Sequence, residues 1–194
     1  MVSAYLALLL LIGAERLCEL ALSMRNARLA FARGGVETGA RHFRAMTLLH
    51  ALFLPACAAE VLVLHRAFPG ALGWLALGAA LSAQGLRWWA IASLGARWNV
   101  RVIVVPGEPP VRRGPYRFVR HPNYLAVAVE LLAVPLVHGA WLTALVFSAA
   151  NAWVLRVRIH TEEAALGTGW DQAFVGVRRF LPSGANTGDR AGRG

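Results

Sequence analysis

Between Gly114 and Tyr124 the chain reads GPYRFVRHPNY, the most polar and most sharply punctuated stretch of an otherwise oily sequence. Arginine suits carboxylates and other anions, and histidine, with an ordinary pKa of about 6.5, can take up or release a proton near neutral pH. Gly114-Pro115 and His121-Pro122 are breaker pairs, because each proline removes a backbone donor and turns the residue before it away from the helical region. Pro122 then suits the first turn of a helix that runs on through Tyr124 and Leu125. An Arg-rich loop lying near lipid headgroups would explain the arginines. It would not explain why tyrosine, histidine, asparagine and two prolines share the same few positions. The stretch therefore reads as a ligand-binding or catalytic segment at a helix start.

The elements that must position it are apolar. The chain of 194 residues is 57% hydrophobic and only 15% charged, with a mean hydropathy of +0.51, which is lean in charge for a soluble domain. All 20 basic residues are arginine, and the formal charge is +10. These arginines cluster between apolar runs instead of covering a soluble face, which points to membrane orientation and away from nucleic acid. Cys18 and Cys57 fall inside apolar segments without CxxC spacing, so neither a disulfide framework nor a zinc site is expected. The start, MVSAYLALLLLIGAE, has no basic residue ahead of its apolar core and reads as a retained first span.

Five apolar segments emerge: Val2 to Leu22, Phe43 to Leu64, Ala71 to Leu94, Tyr124 to Val137 and Ala140 to Ile159. A spanning helix needs roughly 20 apolar residues, so the first three qualify, whereas the fourth is short and joined to the fifth by the His138-Gly139 corner. The expected fold is all-α: a polytopic membrane protein of about five transmembrane helices, with a tight hairpin between the last two. Arginines crowd the first and third connections and follow the fifth span, which places the N-terminus outside and the C-terminus and GPYRFVRHPNY in the cytoplasm. Residues 1–182 read as a single domain and 183–194 as a disordered polar tail. Trp170, Phe174 and Val177 form an apolar stripe after Gly167 and Gly169 that suits a short interfacial helix.

Polar residues recur within the spans. Glu15, Glu19 and Ser23 share one face of the first, and His42, His50, Cys57 and Glu60 one face of the second. Ionisable groups in membrane helices usually face the bundle interior or a wet cavity, although helix-to-helix hydrogen bonding alone would also explain them. Glu130 belongs with them, as a pocket wall or a bundle contact. His42 and His50 lie too far apart for a paired metal site, so no metal is expected. Asn151, Leu155, Arg158 and Glu162 share one face of the last helix, which carries Glu162 and Glu163 beyond the membrane.

The ordered series Gly-Pro-Tyr, Arg-His-Pro-Asn-Tyr and Glu-Glu, with an apolar hairpin between, resembles the isoprenylcysteine carboxyl methyltransferase family over about Trp98 to Pro182. Phospholipid N-methyltransferases look similar in the same region. The run ERLCELALSMRNARLAFARGGVETGARHFRAMTLLH resembles a bacterial subgroup linked to type III polyketide synthases and to methylation of alkylpyrones or phenolic lipids. The resemblance implies S-adenosyl-L-methionine as methyl donor, a lipid-like acceptor, and a cofactor pocket lined by Tyr116, Arg120, His121, Pro122, Tyr124, Glu162 and Glu163. Eukaryotic members carry more spans before the catalytic half, a departure that counts against a prenylated-protein acceptor.

Methyl transfer from a sulfonium is an in-line displacement that needs alignment and exclusion of water. Glu162 and Glu163 suit the ribose hydroxyls or amino group of the donor. Arg120 suits its carboxylate and Arg158 an anionic acceptor oxygen, two assignments that are interchangeable. His121 is the natural base for a phenol or enol acceptor, or a structural tie. An alkyl chain entering laterally would bring its polar head near His42, His50, Glu15 or Glu19. The rivals are an NADPH-dependent membrane reductase of the sterol-reductase type and a small transporter or structural membrane protein. Concentration of the polar motif on one face counts against transport. The expected setting is a bacterial inner membrane.

Overall fold

The computed structural model describes residues 1–181, the side chains of 40–42 excepted. The His42 side chain and the expected disordered tail, 183–194, lie outside the described residues. Five helices follow one another: α1 (Val2–Ala32), α2 (Ala40–Val63), α3 (Ala71–Leu94), α4 (Pro122–Leu136) and α5 (Trp141–Ala173). Short 3-10 turns at Gly95–Arg97 and Gly114–Arg117 flank the connection from α3 to α4.

The all-α expectation needs one correction. β1 (Val36–Thr38) and β2 (Val102–Val104) pair antiparallel, with Val36 opposite Val104 and Thr38 opposite Val102. Both are rich in β-branched residues, which suit a pleated ribbon, but three residues are too few to show an alternating pattern. The ribbon ties the α1–α2 connection to the α3–α4 connection.

α4 is the central helix, packed against α3 and α5, and α5 also packs on α2. Tyr5, Leu9, Phe53, Val61, Leu131 and Val134 form the main core, and Tyr5 donates to the Val134 carbonyl at 3.2 Å. The α4–α5 hairpin turns over Val137–Ala140, and Glu60 of α2 caps the start of α5. Its carboxylate accepts from the backbone of Leu142 (3.1 Å) and Thr143 (2.7 Å) and from the Thr143 hydroxyl at 2.7 Å, satisfying donors that a helix start leaves open.

Among the described residues two helices, α2 from Phe43 and α5, are long and apolar enough to cross a membrane by length and composition. α4 is apolar but has only 15 residues, about 22 Å at 1.5 Å each. α1 and α3, read from sequence as ready spans, carry charges that pair with one another. Arg16 meets Glu19 at 3.0 Å, Arg87 bonds Glu130, and Arg87 lies 3.6 Å from Glu19. Such partners are what let ionised groups stay inside an apolar bundle. Glu130 is therefore a bundle contact.

Candidate functional site

A cavity of about 580 Å³ lies where the end of α1, the ribbon, the segment after α3, the start of α4 and the far part of α5 converge. The sequence explains the convergence. Ser23 and Asn26, on the inward face of α1, hold the chain after α3. The Ser23 hydroxyl donates to Asn99 Oδ1 at 2.9 Å, and Asn26 Nδ2 donates to the carbonyls of Gly95 (3.1 Å) and Trp98 (2.8 Å). Arg101 donates to Glu37 Oε1 at 2.7 Å and closes the ribbon over the cavity. Gly114 turns the chain back toward α3 with φ +59°, and a Cβ there would run into Ser93 Oγ and sit 3.0 Å from Trp89 Nε1. Only glycine fits that turn.

Of the residues singled out from sequence, Tyr116, Arg120, His121, Tyr124, Arg158 and Glu162 all line this cavity. Pro122 is fully buried at the first turn of α4 and sets the helix start without reaching the cavity wall. Glu163 sits behind His121. Glu15, Glu19 and His50 line no part of the cavity. Glu15 accepts from the Trp88 indole, Glu19 pairs with Arg16 within α1 and with Arg87 of α3, and His50 Nδ1 lies 2.8 Å from the Met46 carbonyl oxygen. Their helical face was legible; its distance from the site was not.

Two relays run through the site. Tyr124 donates to Glu162 and accepts from Arg158 Nε at 2.7 Å, while Arg158 Nη2 donates to the Val100 carbonyl at 2.6 Å. His121 Nε2 lies 3.0 Å from Glu163 Oε1, and Arg179 grips the same carboxylate at 2.6 and 3.0 Å. Burial alone would raise the Glu163 carboxyl, but the hydrogen bonds from Arg179 and His121, with their charges, hold it below the usual carboxylate value. The His121 ring stacks on Tyr124, with centroids 5.3 Å apart, and leans on Trp170 at 5.4 Å. Burial, and then the Glu162 carboxylate, push the Tyr116 phenol up, so it stays protonated and can donate.

The stripe expected to lie in the membrane interface turns inward instead. Trp170, Phe174 and Val177 are buried and pack with Tyr116 and Ala90. Gly167, with φ 70° and ψ −170°, kinks α5 and brings them back over the motif. Arg120 secures them: its Nε donates to the Val177 carbonyl at 2.6 Å and its Nη2 to that of Phe174 at 2.9 Å. It thus satisfies carbonyls that the end of a helix leaves open.

Sequence reasoning missed three further residues. Trp98 Nε1, Asn123 Oδ1 and Thr38 Oγ1 are buried without a partner among the described residues, and all three residues line the cavity. Unpaired buried polar atoms are costly, which makes them markers of a ligand or ordered water. Asn123 lay in plain view inside the motif. Thr38 carried no signal, because only strand pairing brings it here.

A family model described as isoprenylcysteine carboxyl methyltransferase matches residues 74–168. An uncharacterised protein of Bacillus subtilis, YpbQ, is 40% identical over 153 residues, which are 78% of this chain and 90% of that protein. The chain belongs to the isoprenylcysteine carboxyl methyltransferase family. An uncharacterised Haemophilus influenzae protein is 29% identical over 154 residues, covering 79% of this chain and 89% of its own. Members of the isoprenylcysteine carboxyl methyltransferase family are methyltransferases, and with two helices apolar enough to span a bilayer this chain is a membrane protein. The family match contains GPYRFVRHPNY and the Glu162-Glu163 pair, but not β1, so Thr38 reaches the cavity from outside the matched region.

Proposed function

We propose that the protein is an S-adenosylmethionine-dependent methyltransferase acting on an oxygen of a hydrophobic, lipid-like acceptor at the boundary of membrane and cytoplasm. The observation that carries the reading is a single cavity lined both by the motif residues Tyr116, Arg120, His121 and Tyr124 and by Glu162 from the far end of α5. The unpaired donor at Trp98, the unpaired acceptor at Asn123 and the Glu162 carboxylate fit a ligand that mixes donors and acceptors, as the amino-acid and nucleoside parts of this cofactor do. When bound, S-adenosylmethionine supplies an electrophilic methyl group on a sulfonium.

The chain's own residues supply the rest. Tyr116, Trp170 and Phe174 wall off water and keep the reactants aligned. Arg158, buried and already oriented by Tyr124 and the Val100 carbonyl, draws an acceptor anion toward the cavity. Arg120 closes the C-terminal segment over the site. Arg33, Arg97, Arg101, Arg120 and Arg158 line the cavity against two carboxylates, Glu108 and Glu162. That excess favours an anionic oxygen, such as an isoprenylcysteine-like carboxylate or an ionised alkylpyrone, over a cationic amine. Such an acceptor needs no base; for a phenol, His121 held by Glu163 takes the proton. The arginine distribution supports five spans with the N-terminus outside and the cavity facing the cytoplasm of a bacterial inner membrane.

Calorimetric binding of S-adenosylhomocysteine to the detergent-purified protein tests the reading, with NADPH and a Glu162→Ala variant alongside. The expected result is S-adenosylhomocysteine binding weakened by about ten- to a hundredfold in the variant, the worth of a hydrogen bond to a charged group. Binding of NADPH alone would replace this reading with a reductase.

A further inference from the structure

A second cavity, of about 470 Å³, opens between α4 and α5. Its walls are apolar: Leu125, Ala128 and Leu132 from α4, and Leu155 and Ile159 from α5. One end is basic, formed by the exposed Arg156 and His160 together with Arg179, and among the described residues no aspartate or glutamate lines the groove. Among the described residues the Arg156 guanidinium makes no hydrogen bond or ion pair. Below that end, Asn151 is only 2% exposed, and its Oδ1 has no partner among the described residues. Ser148 Oγ, further along, is also buried and unpaired. A side chain so buried and polar, lining a groove, calls for a ligand or water to complete it.

We propose that this groove binds one anionic membrane phospholipid, its phosphate on Arg156, His160 and Arg179 and one acyl chain along the apolar walls. The spacing supports the assignment. Asn151 lies five residues before Arg156 on α5, about 7–8 Å along the helix axis, the depth at which an acyl ester sits beneath its phosphate. Asn151 Nδ2 can donate to that ester carbonyl, leaving the unpaired Oδ1 to accept from an ordered water. Charge complementarity selects the anionic head, because basic groups near the surface attract anionic lipids at about 1 kcal/mol each, roughly fivefold per residue.

The groove also touches the first cavity. Leu155 and Ile159 pack on Tyr124, so one layer of side chains separates the two. Arg179, at the basic end, is the same residue that holds Glu163, which in turn meets His121 at 3.0 Å. A phosphate that draws on Arg179 loosens the clamp on His121, which would link lipid composition to the site. The lipid proposal itself stands independently of the methyltransferase reading.

The test uses the full chain reconstituted into nanodiscs of phosphatidylcholine alone or mixed with phosphatidylglycerol, then released into detergent for native mass spectrometry. The unaltered protein should retain one phosphatidylglycerol, favoured about tenfold or more over phosphatidylcholine. Arg156→Gln with His160→Gln should erase the preference, and Ala152→Phe, which fills the groove from its exposed side, should retain neither lipid. Circular dichroism of each variant checks that it is folded. Excess inorganic phosphate should leave the lipid in place, since the chain contributes to binding. Equal retention of the two lipids, a preference that survives in the double variant, displacement by phosphate alone, or a lipid-free dimer would each overturn the proposal.

Discussion

Trp98 shows how a single atom can separate packing from function. Its ring is buried, yet its indole nitrogen has no partner among the described residues and belongs to a residue on the cavity wall. Trp98→Phe keeps most of the ring and removes only the donor. S-adenosylhomocysteine affinity should fall by about five- to tenfold, the net worth of one hydrogen bond, while the thermal midpoint without ligand holds or rises because an unpaired donor is gone. A lower midpoint with unchanged affinity would assign the nitrogen to packing. Glu163 makes the complementary case, since its partners are all within the protein. Its folded pKa lies below the ordinary value of 4.5, so its contribution to stability is fully present above that value. It is lost as pH falls through about 4.5 toward the lower folded value. Thermal midpoints between pH 7 and pH 3 should therefore drop less steeply for Glu163→Gln than for the unaltered protein.

The elements around the site were unequally legible. α4 announced itself through Pro122 at its first turn and the apolar run behind it, and the face shared by Asn151, Leu155, Arg158 and Glu162 followed from helical spacing alone. The inward stripe Trp170–Phe174–Val177 was read correctly as a stripe and wrongly as membrane-facing. Periodicity tells which residues share a face, but the kink at Gly167 and the grip of Arg120 on the Phe174 and Val177 carbonyls decide where that face points. The ribbon was invisible, since its strands of three residues gain their meaning only from each other. Gly114 is the turn on which the motif depends. Gly114→Ala forces a left-handed conformation on a residue with a Cβ and drives that carbon into Ser93. The expected outcome is retained helical circular dichroism with loss of S-adenosylhomocysteine binding, because the error falls at the cavity and not in the helices.

Over the whole molecule, the arginine distribution and the bundle charges work together. Arg16, Glu19, Arg87 and Glu130 form ion pairs within α1 and between α1, α3 and α4, the kind of partner a charge needs inside an apolar bundle. The proposed topology, five spans with the N-terminus outside, makes a direct forecast. A fluorescent reporter fused after Gly194 should mature in the cytoplasm, and a cysteine placed at His65, in the α2–α3 connection, should react with a membrane-impermeant thiol reagent added from outside. Labelling only after the membrane is opened would reverse the orientation and move the cavity to the other side.

The sequence by itself determined the helical class, the starts of the helices to within about three residues, the family, and six of the side chains on the cavity wall, while α1 and α5 run on well past the apolar segments read for them. These depend on local preferences and on residue spacing along one element, which a linear chain displays. The tertiary structure alone decided which inward faces meet. It separated the carboxylates of α1 from the site, joined Thr38 to Trp98 and Asn123, and spent Arg120 on the carbonyls beyond α5. Contacts between residues far apart in the chain are set by packing and by the pairing of buried polar groups, and neither leaves a periodic trace in sequence.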